Sequence, residues 1–138
     1  MKIPVVVVDD QEVDRYLIRR RLARTDDFEL LDELPSGDRF LQQYFMADRS
    51  GRDGPATLLV LMDINMPGLD GFQTIDAAQK LISDGQGPDN LVVLIFTSSD
   101  SAQDRERAEE FPLVKGYISK PVDNEGISRI REIYLSIS

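Results

Sequence analysis

Hydrophobic residues are concentrated in five short runs, which are separated by longer stretches of mixed character. Two of these runs, at 58–62 and 91–96, are apolar throughout, and residues 3–8 are β-branched apart from Pro4. Short apolar runs bounded by turn residues are typical of strands that are buried on both faces. The run at 28–34 is more mixed, as expected at a sheet edge. The predicted strands are residues 3–8, 28–34, 58–62, 91–96 and 114–118.

Between these strands, apolar residues recur at intervals of three and four, which is typical of helices with one buried face. Residues 12–24 also have helical spacing through the pairs Val13–Leu17 and Ile18–Leu22, although a charged residue interrupts the stripe. The clearest stripes are Phe40, Leu41, Tyr44 and Phe45; Phe72, Ile75, Ala78 and Ile82; and Ile127, Ile130, Tyr134 and Ile137.

Strand-like and helical segments alternate five times along the chain. Breaks at 35–37 and 83–88 and a polar loop at 48–55 separate some of them. Connections of this length between parallel strands are right-handed crossovers, which place helices on both faces of the sheet. The pattern predicts an α/β, doubly wound fold in a single domain over residues 1–138, with no second domain.

The amino-acid composition excludes several kinds of catalytic and binding site. The 138 residues include no Cys and no His, which excludes thiolate chemistry, histidine bases and the commonest transition-metal ligand. The net charge of −9 argues against direct nucleic acid binding through phosphates. The apolar run at 3–8 is too short for a signal peptide or a membrane span. We therefore expect a soluble, cytoplasmic protein.

Polar residues follow four of the predicted strands. They are Asp9-Asp10, Asp63, Thr97-Ser98 and Lys120. The carboxyl ends of parallel strands meet at one edge of the sheet, where ligands bind in open α/β folds. Three carboxylates gathered there favour a hard cation such as Mn²⁺, Ca²⁺ or, best, Mg²⁺. With a hydroxyl and an ammonium beside them, they predict phosphoryl transfer to an Asp.

Each of these residues also has an ordinary structural explanation. Asp9-Asp10 and the segment 97–100 are typical helix caps, and Lys-Pro pairs commonly lie on the surface. For any one residue, the structural explanation is at least as good as the functional one. Four such coincidences at four strand ends favour a functional site.

Together these segments resemble the response-regulator receiver domain of two-component signalling. The resemblance covers essentially the whole chain, and the sequence MPGLDG after an acidic strand end is its most specific part. It implies a flavodoxin-like (βα)5 domain with five parallel strands in the order 2-1-3-4-5. The motifs are VVVVDDQ at 5–11, LMDINMPGLDG at 61–71, IFTSSD at 95–100 and GYISKP at 116–121.

The resemblance assigns the chemistry of phosphorylation to five residues. Asp63 is implied to be the phosphoacceptor and Lys120 to contact the phosphoryl group. Asp9 and Asp10 are implied to hold Mg²⁺, with Asp63 and the backbone carbonyl of Asn65 as further ligands. The domain would catalyse only its own phosphorylation and dephosphorylation, and is otherwise not an enzyme.

A second group of residues is implied to transmit the signal or to set how long the phosphoryl group lasts. Thr97 is implied to take part in the chemistry as well, as the switch hydroxyl that moves to meet the phosphoryl group, and Tyr117 is implied to be the switch aromatic. Asn65 and Ser99 are implied to tune the lifetime of the phosphoryl group. The Lys120–Pro121 bond is implied to be cis. Residues 101–110 have almost no apolar stripe, so this fourth helix is expected to be weakly packed and to change on activation together with the fifth strand and last helix.

The expected partners are other proteins. The resemblance implies that the phosphoryl donor is a phosphohistidine, and because this chain has no His, the donor should be a separate protein, either a histidine kinase or a histidine phosphotransfer protein. We expect donor docking at Val13, Leu17 and Ile18 of the first helix. The output side should bind a downstream protein or form a homodimer. We expect a stand-alone, chemotaxis-type or phytochrome-associated-type regulator without an output domain.

Three alternatives fit the pattern less well. A haloacid-dehalogenase-type phosphatase would have its nucleophile and a second Asp, two residues on, after the first strand, where this chain has DDQE. A flavodoxin-like cofactor binder would have a phosphate-binding loop in place of the two acids. The serious alternative is a degenerate receiver that binds partners without phosphorylation. Such a domain usually lacks a key residue, and none is missing here, so turnover of an acetyl phosphate-type donor would separate the two.

Overall fold

The computed structural model describes residues 2–46, 57–88 and 90–137. The polar loop predicted at 48–55 lies outside the described residues. Strands and helices alternate along the described chain as the sequence predicts. They are β1 (Ile3–Val8), α1 (Glu12–Ala23), β2 (Phe28–Leu34), α2 (Gly37–Leu41) with a π-helical continuation (Gln42–Met46), β3 (Leu58–Met62), α3 (Gly71–Ser83), β4 (Leu91–Thr97), α4 (Ala102–Glu109), β5 (Val114–Ser119) and α5 (Asn124–Ile137).

The strands form one parallel sheet in the order β2-β1-β3-β4-β5, which confirms the predicted flavodoxin-like topology. The ladder continues one residue past several strand ends. The Asp63 amide donates to the Val8 carbonyl at 3.0 Å, and the Lys120 amide donates to the Thr97 carbonyl at 2.9 Å. Together with the pairing of Met62 with Ile95 between β3 and β4, these bonds place Asp9, Asp63, Thr97 and Lys120 along the same edge.

The two faces of the sheet form separate halves of the core. Val6, Val60 and Val93 pack on the side of α2 and α3, whereas their neighbours along each strand pack on the side of α1 and α5. Because both faces are covered, the central strands β3 and β4 are buried along their whole length. This explains their uninterrupted apolar sequences.

Helix α1 buries only part of its predicted stripe. Ile18 and Leu22 are buried in the core, but Val13 is 67% exposed and Leu17 is 48% exposed. The two i,i+4 pairs are offset by five residues, which rotates them about 140° apart on a helix. The prediction that Val13, Leu17 and Ile18 share one docking surface is therefore wrong for Ile18, which lies in the core.

The stripe predicted on the last helix also ends earlier than expected. Ile127, Ile130 and Tyr134 are buried, but Ile137 is 42% exposed. The Tyr134 hydroxyl donates to the carbonyl of Thr57, one residue before β3, at 2.6 Å. Tyr134 thus lies at the amino-terminal edge of the sheet, and Ile137 extends beyond it.

Helix α4 has little apolar contact, as predicted, with Ala108 as its buried residue. Its arginines supply contacts that the sequence did not reveal. The Arg105 guanidinium lies 4.3 Å from the centre of the Tyr117 ring, and that of Arg107 lies 4.6 Å from the centre of the Phe72 ring. Within the described ranges, no helix is long and apolar enough to cross a membrane.

Candidate functional site

The site begins with three carboxylates at the carboxyl ends of β1 and β3. Asp9, Asp10 and Asp63 each place one oxygen within 4.8 Å of the others. Asp9 and Asp63 are buried, and Asp10 is partly buried. The sequence predicted this cluster from the position of each residue after an apolar run.

The turn after β3 holds Asp63 in place. The backbone amide of Ile64 donates to Asp63 Oδ1 at 2.9 Å, and that of Gly71 donates to the Ile64 carbonyl at 2.8 Å. A Cβ atom at Gly71 would lie 2.2 Å from the Asp63 carbonyl oxygen. Only a residue without a side chain lets α3 begin this close to Asp63. Asp70 caps that helix through a capping box with Gln73.

Lys120 reaches the cluster from the end of β5. Its Nζ atom lies 2.6 Å from Asp9 Oδ2, 2.9 Å from Asp14 Oδ2 and 3.4 Å from Asp63 Oδ2. Its side chain is 9% exposed, and Nζ lies 5.0 Å from the centre of the Phe96 ring. The ammonium is thus surrounded by three carboxylates. The Lys120–Pro121 bond is cis, as the resemblance implied.

Asp14 was missed by the sequence reasoning. It lies in the first turn of α1 and one turn before Ile18, on the side of the helix that faces inward. A carboxylate at such a position needs a partner, and Lys120 supplies it. The inward spacing of Asp14, Ile18 and Leu22 is the signal that could have identified this contact.

Asp10 carries a buried side-chain oxygen that has no hydrogen-bond partner. Among the described residues, its Oδ1 is the one buried side-chain oxygen or nitrogen without a hydrogen-bond partner. Its Oδ2 accepts a bond of 3.3 Å from Gln11 Nε2. A buried carboxylate oxygen without a partner, beside two other carboxylates, fits a hard divalent cation with oxygen ligands.

Burial and neighbouring charges shift two pKa values in the site. Burial raises the pKa of Asp63 above its ordinary value, and the charge of Asp9 adds to this, while Lys120 and the Thr97 hydroxyl oppose it. Burial alone would lower the pKa of Lys120, but its bonds to Asp9 and Asp14 and the charge of Asp63 raise it overall. Lys120 is therefore held as an ammonium.

Thr97 and Tyr117 are joined through Ser99. The Thr97 side chain is fully buried beside Asp63, and its hydroxyl oxygen accepts a 3.3 Å bond from the Ser99 amide. The Tyr117 hydroxyl donates to the Ser99 carbonyl at 2.7 Å, and its buried ring lies under Arg105. The Ser99 hydroxyl donates to Asp104 Oδ2 on α4 at 2.6 Å. Ser99 thus connects the site to α4.

The remaining predicted residue, Asn65, lies on the exposed loop that follows Asp63. A cleft of about 410 Å³ opens beside the site between α1 and the turn after β5. Its lining includes Asp14, Leu17 and Lys120. A molecule that enters this cleft therefore contacts the exposed Leu17 side chain of α1 next to Lys120.

Comparison with known proteins identifies the family. The family model for the response regulator receiver domain matches residues 5–131. The chain is 29% identical to Protein PilH of Pseudomonas aeruginosa over 127 residues, covering 88% of each chain. It is 28% identical over 130 residues to the uncharacterized transcriptional regulatory protein YhcZ of Bacillus subtilis, covering 94% of this chain and 54% of YhcZ. The chain spans about half or less of several longer curated relatives that it matches.

Solved structures agree with this assignment. A two component response regulator from Cytophaga hutchinsonii has the same fold, with a TM-score of 0.80, 24% identity and coverage of 99% of both chains. A CheY-like receiver domain protein from Methanospirillum hungatei is 25% identical, with a TM-score of 0.71 and coverage of 99% of this chain and 97% of that one. The chain belongs to the response regulator receiver domain family of two-component signalling.

Proposed function

We propose that this receiver domain accepts a phosphoryl group on Asp63 from a phosphohistidine of a separate protein, with Mg²⁺ bound at Asp9, Asp10 and Asp63. The observation that carries the proposal is the clustering of these carboxylates within 4.8 Å, next to an ammonium 3.4 Å from Asp63 Oδ2. This arrangement provides a nucleophile, a place for a cation and a fixed positive charge at one point.

The transfer exchanges one bond to phosphorus for another. An Asp63 carboxylate oxygen attacks phosphorus, an O–P bond forms, and the N–P bond to the donor imidazole breaks. The electron pair of that bond returns to the imidazole nitrogen. Later attack by water breaks the bond between phosphorus and the Asp63 oxygen, which restores the carboxylate and releases inorganic phosphate. Bound Mg²⁺ would neutralise charge on the phosphoryl oxygens.

Two side chains of the site serve the transferred group directly. Lys120 lies beside Asp63 Oδ2 with its charge intact, so it can donate to a phosphoryl oxygen. The Thr97 hydroxyl lies beside the Asp63 carboxylate and can donate to another. Burial holds both donors next to Asp63, where the negative charge of the phosphoryl group would be placed.

The donor is a histidine kinase or a histidine phosphotransfer protein, because receiver domains in general interact with such proteins and this chain has no His. Exposed Val13 and Leu17 of α1 provide an apolar contact for it, next to the cleft that leads to Lys120. The surface around Tyr117, α4 and α5 is proposed to bind a downstream protein or a second copy of the chain. Ser99, which links Thr97 to Tyr117, supports that assignment.

A substitution at Asp63 tests the proposed phosphorylation. The protein is incubated with acetyl phosphate and Mg²⁺, and intact-mass spectrometry follows the added phosphoryl mass. We expect one phosphoryl group on the wild type and none on Asp63→Asn. Asp84→Asn, which changes an exposed carboxylate at the end of α3, should be labelled like the wild type. Labelling of Asp63→Asn at any other residue would contradict the proposal.

A further inference from the structure

Lys120 makes one contact that phosphoryl transfer does not require. Its ammonium has three N–H donors, and three carboxylates lie around it. Asp9 and Asp63 belong to the acidic cluster, whereas Asp14 comes from α1 and lies outside it. Asp14 Oδ2 is 2.9 Å from Nζ, which is closer than Asp63 Oδ2 at 3.4 Å.

Asp14 is not needed to place the lysine near the phosphoacceptor. Asp9 is fully buried and holds Nζ at 2.6 Å, and the ring of Phe96 lies against the ammonium. These two contacts keep the side chain in the site. What Asp14 adds is a third negative charge and a competitor for one of the three N–H groups.

We propose that Asp14 is a positioning residue that slows phosphorylation by drawing the Lys120 ammonium away from Asp63. This inference rests on the proposed function, since it concerns the rate at which Asp63 is phosphorylated. An N–H bonded to Asp14 is not available to a phosphoryl oxygen.

The side chain of Asp14 is 32% exposed, so its hold on Lys120 is partial and can be released. It lines the cleft between α1 and the turn after β5. When phosphorylation places oxygens beside Asp63, these must compete with Asp14 for Lys120. Removal of Asp14 therefore lowers the barrier to phosphorylation, whereas removal of Lys120 raises it.

The test compares phosphorylation rates with a small donor, so that docking of a kinase plays no part. The rate constant for labelling by acetyl phosphate with saturating Mg²⁺ is measured by intact-mass spectrometry. We expect Asp14→Asn to be labelled about fivefold faster than the wild type, as for the loss of one partly exposed charged hydrogen bond. The Asp14→Glu variant keeps the charge and should stay close to the wild-type rate.

Glu12→Gln is the matched control for charge. Glu12 lies in the same first turn of α1, and within the described part of the chain no hydrogen bond or ion pair joins it to Lys120. This variant loses the same unit of charge and should keep the wild-type rate. An equal acceleration in Glu12→Gln would attribute the effect to net charge and overturn the role of Asp14.

A double-mutant cycle separates action through Lys120 from a general effect on the fold. The Lys120→Met variant is expected to react slowly, so its labelling is followed over hours. In this background, Asp14→Asn should change the rate constant for labelling by less than about twofold. A fivefold acceleration that persists there would overturn the proposal, as would an unchanged or slower Asp14→Asn in the presence of Lys120. Failure to label the wild type at all would contradict the proposed function itself and, with it, this inference.

Discussion

The carboxylate cluster should make the metal-free protein less stable than a variant with one charge fewer. Asp10→Asn keeps the shape of the side chain and removes its repulsion with Asp9 and Asp63. It should therefore stabilise the protein when Mg²⁺ is absent. The same change removes a predicted ligand, so it should also reduce the stabilisation that Mg²⁺ provides.

The distances in the site give the size of this effect. Two unit charges 4.8 Å apart repel by about 3.5 kcal/mol at an effective dielectric constant of about 20. Asp10 takes part in two such pairs, but it is only partly buried, and Lys120 lies close to both partners. After this screening, we expect Asp10→Asn to raise the free energy of unfolding by about 1–2 kcal/mol in EDTA.

Urea unfolding followed by circular dichroism measures both parts of the prediction. Magnesium that binds only the folded state adds RT ln(1 + [Mg²⁺]/Kd) to the free energy of unfolding. The wild type should gain this increment, and Asp10→Asn should lose most of it. The difference in the free energy of unfolding between the two proteins should therefore shrink or change sign when EDTA is replaced by Mg²⁺. Asp84→Asn, an exposed change of equal charge, should leave both values within about 0.5 kcal/mol of the wild type.

Two results would refute this reasoning. If Asp10→Asn were no more stable than the wild type in EDTA, repulsion between the carboxylates would not lower the stability of the folded protein by the amount that their distances predict. If Mg²⁺ stabilised the variant as much as the wild type, Asp10 would not contribute to the cation site.

Two further predictions concern tyrosines outside the cluster. Burial raises the pKa of Tyr134 above 10.0, so the folded state disfavours its ionised form, and stability should fall as the pH rises from the unfolded pKa through the folded one. Tyr134→Phe, which loses the bond to Thr57, should be about 1 kcal/mol less stable at pH 7 in urea unfolding and should lack this alkaline loss. Hydrogen exchange with and without beryllofluoride should show changed protection over residues 97–118, around Tyr117; changes confined to the loop after Asp63 would rule out the proposed output surface.

The sequence predicts the strands and the acidic edge well for a physical reason. A parallel sheet that is covered on both faces requires continuous apolar strands, so each strand end is marked by the first polar residue. Asp9, Asp63 and Thr97 were found in this way, whereas Lys120 is the second polar residue after the less apolar run at 114–118. The strand order followed from the family resemblance, because periodicity alone does not say which strands are neighbours.

The sequence predicts the helix faces less well, because their rotation depends on packing. In α1, two apolar pairs point in different directions, and only the sheet decides that Ile18 and Leu22 face inward while Val13 and Leu17 face solvent. The same rotation brings Asp14 to Lys120, which no motif marks. Helix α4 depends on arginines over aromatic rings, and such contacts leave no hydrophobic period to detect.

Ser99 shows how a change at Asp63 can reach the surface of α4. Its amide donates to Thr97, its carbonyl accepts from Tyr117, and its hydroxyl donates to Asp104. If Thr97 shifts toward a phosphoryl oxygen, as we propose, it would strain its bond with the Ser99 amide, and Ser99 is bonded to both Tyr117 on β5 and Asp104 on α4. Because α4 buries little apolar surface, these polar bonds and the Arg105–Tyr117 contact carry much of its attachment. A helix attached in this way responds to a displacement of one side chain, whereas a helix with a wide apolar face would resist it.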